Sequence, residues 1–367
     1  MSETQINELL AIDGASSVGS GGSRKVVTPV KDDRSAPSRG FLASGRRLVR
    51  RPEFGALAGL VIVFVFFAVE GKNGFLTLDG TTSWVNTASE VGILAIPVGL
   101  LMIAGEFDLS VGSVVGASSL IIGIAYGYYG WPMEAAAALA IVVGLLVGLA
   151  NGLLVVMTGL HSFIVTIAAQ FMLAGAALGL SNTLVGTASI TIQPKGWTKQ
   201  LFAQQWHGFN ASVLWWIAAA AIAAWILGFL PFGNWMFATG NDQVSARQTG
   251  VATGRVKILL FMSTGGVAAL VGVIQAITYS SGNVTYGQSF VFAAPMIAVI
   301  GGVLLTGGYG SVVGIVMGTA IYGIVQFGVF YTGWNTNWAQ FVLGFLLLLA
   351  VLGNNFFRRL AMSAGRA

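Results

Sequence analysis

Of the 367 residues, 55% are hydrophobic and only 8% are charged, with a mean hydropathy of +0.81. A soluble domain carries about a quarter charged residues because its surface faces water, so this composition excludes an ordinary soluble enzyme and indicates an integral membrane protein. Cysteine is absent and there are two histidines, His161 and His207, which excludes disulfides and thiolate chemistry and leaves no expectation of a metal or other cofactor.

The net charge of +5 is a local property. Nine of the 18 basic residues lie between Arg24 and Arg51, and the rest are nearly balanced by the acids from Glu70 to Asp242. The pI of 9.6 therefore describes a tail and not a nucleic-acid-binding body. Residues 1–52 read as a disordered, basic, cytoplasmic tail obeying the positive-inside rule, with Arg46, Arg47, Arg50 and Arg51 also placed to meet lipid headgroups. The basic stretch is long, contains acids and lacks a short apolar core, unlike a cleaved signal peptide.

A membrane-embedded body is expected over 53–356. Crossing the hydrocarbon core takes about 20 apolar residues in a helix. The apolar runs place spans at 55–70, 91–105, 111–128, 135–157, 162–181, 212–231, 256–279, 289–306, 309–331 and 337–354. The fold class is thus all-α: a polytopic bundle of about ten transmembrane helices, followed by a short basic cytoplasmic tail at 357–367. An even number of spans puts both termini in the cytoplasm, the segment 232–257 inside and the loop 182–211 outside. Trp131, Trp197, Trp206, Trp334 and Trp338 fall near predicted outer ends, where interfacial tryptophans collect.

The 51 glycines point to close helix packing, since small residues let membrane helices approach. Gly144, Gly148 and Gly152 recur at every fourth position, as do Gly310, Gly314 and Gly318. An internal repeat is possible: Gly112-Ser113-Val114-Val115-Gly116 recurs as Gly310-Ser311-Val312-Val313-Gly314, and Ala95 and Pro97 align with Ala293 and Pro295.

Two polar features stand out. Glu106 and Asp108 interrupt an apolar stretch from Val91 to Tyr126, and a carboxylate in hydrocarbon must face a cavity, an interface or a partner. Asp108 or Ser110, ahead of Gly112, reads as the cap of a helix starting near Val111; contact with substrate is the other reading. No charged partner is evident in the later spans. The second feature is the segment Gly240-Asn241-Asp242-Gln243-Val244-Ser245-Ala246-Arg247-Gln248-Thr249-Gly250-Val251. Asn241 or Asp242 is placed to cap a short surface helix and Gly250 to end it. Uncharged polar residues on or beside predicted spans include Asn182 and Gln326 and, as candidates for a substrate path, Asn151, Gln170, Gln275, Asn283 and Gln288. Such side chains suit an uncharged, hydroxyl-rich solute, or bond across helices for stability. There is no G-x-x-x-x-G-K-[ST] loop, zinc signature or nucleophile elbow, and no catalytic residue is assigned.

Four blocks, in order over residues 55–355, resemble the permease subunits of bacterial ABC importers of the ribose/xylose/arabinose type. They are Gly105-Glu106-Phe107-Asp108-Leu109-Ser110-Val111-Gly112-Ser113, Asn151-Gly152 with Phe163-Ile164-Val165-Thr166, Gly240-Asn241 with Ala246-Arg247 and Gly250, and Gly301-Gly302 with Leu305, Gly307-Gly308 and Gly310. Glu106-Phe107 departs from the Gly-Ile commonly found in that family. The resemblance implies a non-catalytic permease of the bacterial inner membrane, paired with a second permease subunit as a homodimer. A separate cytoplasmic ATPase and an external sugar-binding protein would be its partners, with Gly240, Asn241, Asp242, Ser245, Ala246, Arg247 and Gly250 in the helix that couples to the ATPase. The alternatives are an ion-coupled secondary transporter and an ABC permease for branched-chain amino acids.

Overall fold

A computed structural model describes residues 52–363. The basic tail read over 1–51, with its lipid-contacting arginines, and the final residues 364–367 lie outside that range. Among the described residues seven helices are long and apolar enough to cross a membrane, and three shorter apolar helices accompany them.

The first is a shorter apolar helix within α1 (Pro52–Glu70), followed by the single turn α2 (Lys72–Phe75). Helix α3 (Leu78–Ile103) is longer than the span expected over 91–105. Residues 78–90 are diluted by Thr, Ser and Asn, which lowers their hydropathy, yet the helix is properly started: Thr77 Oγ1 accepts from Gly80 N at 3.1 Å and Asp79 sits in the first turn. α4 (Val111–Ile122) continues as π-helical turns to Tyr128. α5 (Met133–Thr158) and α6 (Ser162–Val185) follow. The stretch expected as an outer loop folds into β1 (Ser189–Thr191), α7 (Gly196–Ala203) and a small hairpin of β2 (Gln205–Trp206) and β3 (Phe209–Asn210). The hairpin is tied down by Asn86 of α3, which donates to Gly208 O at 2.8 Å and accepts from Asn210 N at 2.9 Å.

α8 (Ser212–Phe229) is followed by α9 (Pro231–Asn241), α10 (Gln243–Gln248) and α11 (Thr253–Thr278). β4 (Ser281–Asn283) pairs antiparallel with β1, Ile190 opposite Gly282. α12 (Phe290–Ile300) stops well short of the end expected at 306, because the glycine-rich stretch 301–311 leaves the helical path. α13 (Val312–Thr332) and α14 (Trp338–Ser363) complete the chain, α14 carrying helix through most of the expected tail at 357–367.

The core lies around α3, α11 and α13, with Ile93, Leu94, Leu101, Phe261 and Val325 fully buried. α6 and α8 turn most of their apolar surface outward. α5 and α11 meet closely: a Cβ on Gly148 would lie 2.1 Å from Phe261 O. Only a hydrogen fits there, so the fourfold glycine spacing along α5 is the face that α11 occupies. Lipid offers no hydrophobic reason for these helices to associate, and such backbone proximity supplies the contact instead. The five expected interfacial tryptophans, Trp131, Trp197, Trp206, Trp334 and Trp338, are all exposed.

Candidate functional site

The chain between α3 and α4, residues 104–110, is a break in the helical ladder. Gly105 turns left-handed at φ +85°; Glu106 N still reaches back to Leu101 O at 3.1 Å, but the N–H groups of Phe107 and Leu109 have no helix to bond within. At membrane depth such groups must be satisfied by protein. Three donors of the break and the first turn of α4 go to hydroxyl and amide side chains spaced four apart on α6. Phe107 N donates to Ser162 Oγ at 3.0 Å, Leu109 N to Thr166 Oγ1 at 3.1 Å and Ser113 N to Gln170 Oε1 at 2.9 Å.

Asp108, fully buried, holds the centre of the break. Its Oδ1 accepts from Ser110 N at 3.0 Å and Ser110 Oγ at 2.6 Å, and its Oδ2 accepts from Thr264 Oγ1 of α11. Asn151 Nδ2 of α5 donates to Ser110 Oγ at 2.9 Å. Neither capping candidate bonds an N–H within α4: the Ser110 hydroxyl donates to Asp108, and the one backbone N–H that Asp108 accepts is that of Ser110, just ahead of the first helical residue. Gly112 lies in the first turn of α4, where a Cβ would strike Val291 and Gly287 O.

A second buried carboxylate escaped the sequence reading. Glu90, 8% exposed, sits inside α3 and accepts from Gln275 Nε2 at 3.0 Å and Tyr279 Oη at 2.9 Å. It immediately precedes the apolar run at Val91 and so looked like the edge of a span; only the earlier start of α3 brings it inside. Gln275 Oε1 is buried without a hydrogen-bond partner. Thr264 touches Asp108 and Gln275 touches Glu90 along the one helix α11, and these two partners stand about 16 Å apart along its axis at 1.5 Å per residue.

The five residues considered for a substrate path are therefore dispersed. Asn151 and Gln170 serve the break, and Gln275 serves Glu90. Asn283 closes a turn by accepting from Thr285 N at 2.9 Å, and Gln288 is exposed ahead of α12.

The segment 240–251 forms a separate surface. Asp242 caps α10: its Oδ1 accepts from Val244 N at 2.9 Å and Ser245 N at 3.4 Å, and its Oδ2 from Ser245 Oγ. These hydrogen bonds, that of the Ser245 hydroxyl foremost, hold the Asp242 carboxyl below the usual carboxylate range. The other end closes with Gly250 at φ +90°, Gly250 N donating to Arg247 O at 3.0 Å and Val251 N to Ala246 O at 3.0 Å, a left-handed glycine stop. Ala246 is the one buried residue of α10, while Val244, Ser245 and Arg247 are exposed. Arg247 Nε donates to Thr253 Oγ1 at 2.8 Å. Behind α10 lies the break: a Cβ on Gly240 would fall 1.9 Å from Ile103 O and 2.6 Å from Gly308 N. Asn241 lies against Gly308 as well. The ends of α3 and α9 and the glycine stretch 301–311 thus meet at one point.

Between this point and α10 is a cavity of about 990 Å³ whose lining includes Glu106, Phe107, His161, Gln243, Arg247, Lys257 and Phe292. Glu106 is ion-paired with Lys257, a partner the sequence did not reveal. Among the described residues no cluster of acidic, histidine or cysteine side chains could hold a metal ion.

The sequence profile of the family described as branched-chain amino acid transport system / permease component matches residues 80–351. The chain is 29% identical to the autoinducer 2 import system permease protein LsrC of Salmonella typhi, over 82% of this chain and 84% of that one. It is 27% identical to the xylose transport system permease protein XylH of Escherichia coli K12, over 86% and 94%. It is 26% identical to the ribose import permease protein RbsC of the same strain, over 85% and 97%. No solved structure matches the chain.

Proposed function

We propose, since this chain belongs to the branched-chain amino acid transport system / permease component family, that it is the membrane-spanning permease subunit of an ATP-driven ABC importer for a sugar. The observation that carries this reading is likeness along nearly whole chains to permeases named for xylose and ribose. That likeness favours a sugar over the amino acids in the family's description and over an ion-coupled carrier. ATP hydrolysis belongs to a separate cytoplasmic ATPase, cargo arrives on an external binding protein, and two copies of the permease form the path. Both termini face the cytoplasm of an inner membrane, and the seven long and three shorter apolar helices together make ten spans. The Pro97 and Pro295 helices, each followed by a break and a new helix, support reading the chain as a repeat.

In this reading α10 is the helix that seats on the ATPase. Its support is physical: a short helix capped at both ends is preformed, so a partner binding it loses little to ordering. Its exposed Val244 and Arg247 offer one apolar and one cationic contact, and Gly240 and Asn241 fix its root against the break. Glu90, Tyr279 and the unpartnered Gln275 Oε1 are the best-supported stretch of the path, since a buried open acceptor beside a carboxylate suits a hydroxyl donor. Asn283 and Gln288 lie on the following loop, nearer the expected outer entrance.

The cargo class is tested by titrating the external binding protein of this system with xylose, ribose and leucine. Binding of a sugar and not of leucine is expected; binding of leucine alone would reassign the importer to amino acids.

A further inference from the structure

Glu106 and Lys257 are each only 8% exposed and are paired on the wall of the 990 Å³ cavity. Stability does not account for them. Desolvating two charges costs several kcal/mol per ion, and well-packed neutral residues of similar size serve a fold equally well. What distinguishes the pair is its position. Lys257 Nζ also donates to Gln243 Oε1 at 2.9 Å, and Gln243 is the first residue of α10, next to the Asp242 cap. Lys257 itself lies at the start of α11, and Glu106 lies in the middle of the 104–110 break. One ammonium group therefore joins three elements: the surface helix, a long core helix and the break.

We infer that Lys257 is a positioning residue for coupling, which senses the placement of α10 through Gln243 and passes it to the 104–110 break through Glu106. The inference rests on α10 being the ATPase-docking helix. The two sides of the relay differ in stiffness. The break is fixed by side-chain bonds from α5, α6 and α11, whereas α10 buries Ala246 alone and leaves Val244 66% exposed. A push on α10 therefore moves the loosely held side first and reaches Lys257. Once the ammonium is drawn off, Glu106 is left as an unpaired carboxylate in a poorly solvated site, which is costly unless the neighbouring cavity admits water to it. The pair is thus a two-state contact, closed when α10 is seated and open when Glu106 is hydrated.

The test uses the full chain in proteoliposomes with its ATPase and binding protein and labelled xylose or ribose inside the assay. Two readouts are needed: co-purification of the ATPase, which reports docking, and sugar moved per ATP hydrolysed, which reports the relay. Glu106→Gln and Lys257→Met should retain the ATPase but lower sugar per ATP about tenfold, within the usual range of coupling energies. The charge exchange Glu106→Lys with Lys257→Glu should recover most of that loss. A single substitution that leaves an unpaired charge is able to unfold the chain, so the neutral double variant Glu106→Gln/Lys257→Met is decisive. It keeps the fold and is expected to show the same loss. Wild-type sugar per ATP in that double variant would overturn the relay, as would a loss of transport that only tracks a loss of ATPase. If Arg247→Glu leaves co-purification untouched, the docking assignment of α10 has failed instead.

Discussion

Two aspartates in this chain do the same local job in opposite surroundings. Asp108 and Asp242 each accept from the backbone two residues on and from a nearby serine hydroxyl. Asp108 is fully buried; its second oxygen reaches across to Thr264 of α11, and through Ser110 it is linked to Asn151 of α5. Asp242 is exposed and serves six residues of α10. Burial decides what such a turn does: inside, it ties a break to a neighbouring helix, and outside, it holds a short exposed helix in shape.

The comparison is broken most directly at the handle. Arg247→Glu should leave insertion and thermal midpoint unchanged while reducing ATP-coupled uptake at least tenfold; an unaltered uptake rate would detach α10 from coupling. Asp108→Ala should act in the reverse way. It leaves the Ser110 hydroxyl and the Ser110 N–H without their acceptor, while Thr264 keeps Phe261 O, at a cost of about 3 kcal/mol. A lowered melting temperature with unchanged sugar preference is expected, and a switch in preference would move Asp108 into the path. Gly148→Leu drives a side chain into the Phe261 carbonyl and should cost about 2 kcal/mol by forcing α5 from α11, read as reduced folded yield. Asp108→Asn keeps an acceptor for Ser110 and gains a donor toward Thr264, so about 1 kcal/mol is expected from the same melt.

The smallest effect concerns pH. The carboxyl of Asp242 is held below its unfolded range, so its contribution is present above about pH 4 and is lost as pH falls through the folded value. The protection factors of residues 243–251, taken relative to intrinsic exchange at each pH, should therefore fall on acidification below that point. Asp242→Asn should abolish the dependence; a pH profile shared by both proteins would show that another group controls α10.

Local chemistry was the legible part of this molecule. Apolar runs announced most of the helices, and the caps of α10 were readable because Asp242 and Gly250 act on neighbours a few residues away. The glycine spacing in α5 likewise predicted a packing face. What escaped were contacts between distant segments. Thr264 meets Asp108 across 156 positions and Gln275 meets Glu90 across 185, and no local pattern marks such pairs. Glu90 passed as a span boundary because charge and falling hydropathy coincide there. Asn151 and Gln170 had the composition of solute ligands, but a broken helix needs donors and acceptors just as a sugar does. Lys257, the last residue of the segment expected inside, had no partner readable in the sequence, and the fold places Glu106 beside it.

The central claim is that this chain is a conduit whose motor docks on α10. The direct measurement is uptake of labelled xylose or ribose into proteoliposomes holding the chain, with and without its ATPase and binding protein. The account predicts accumulation only when both partners and ATP are present. Accumulation by the chain alone, driven by a proton gradient without ATP, would contradict it.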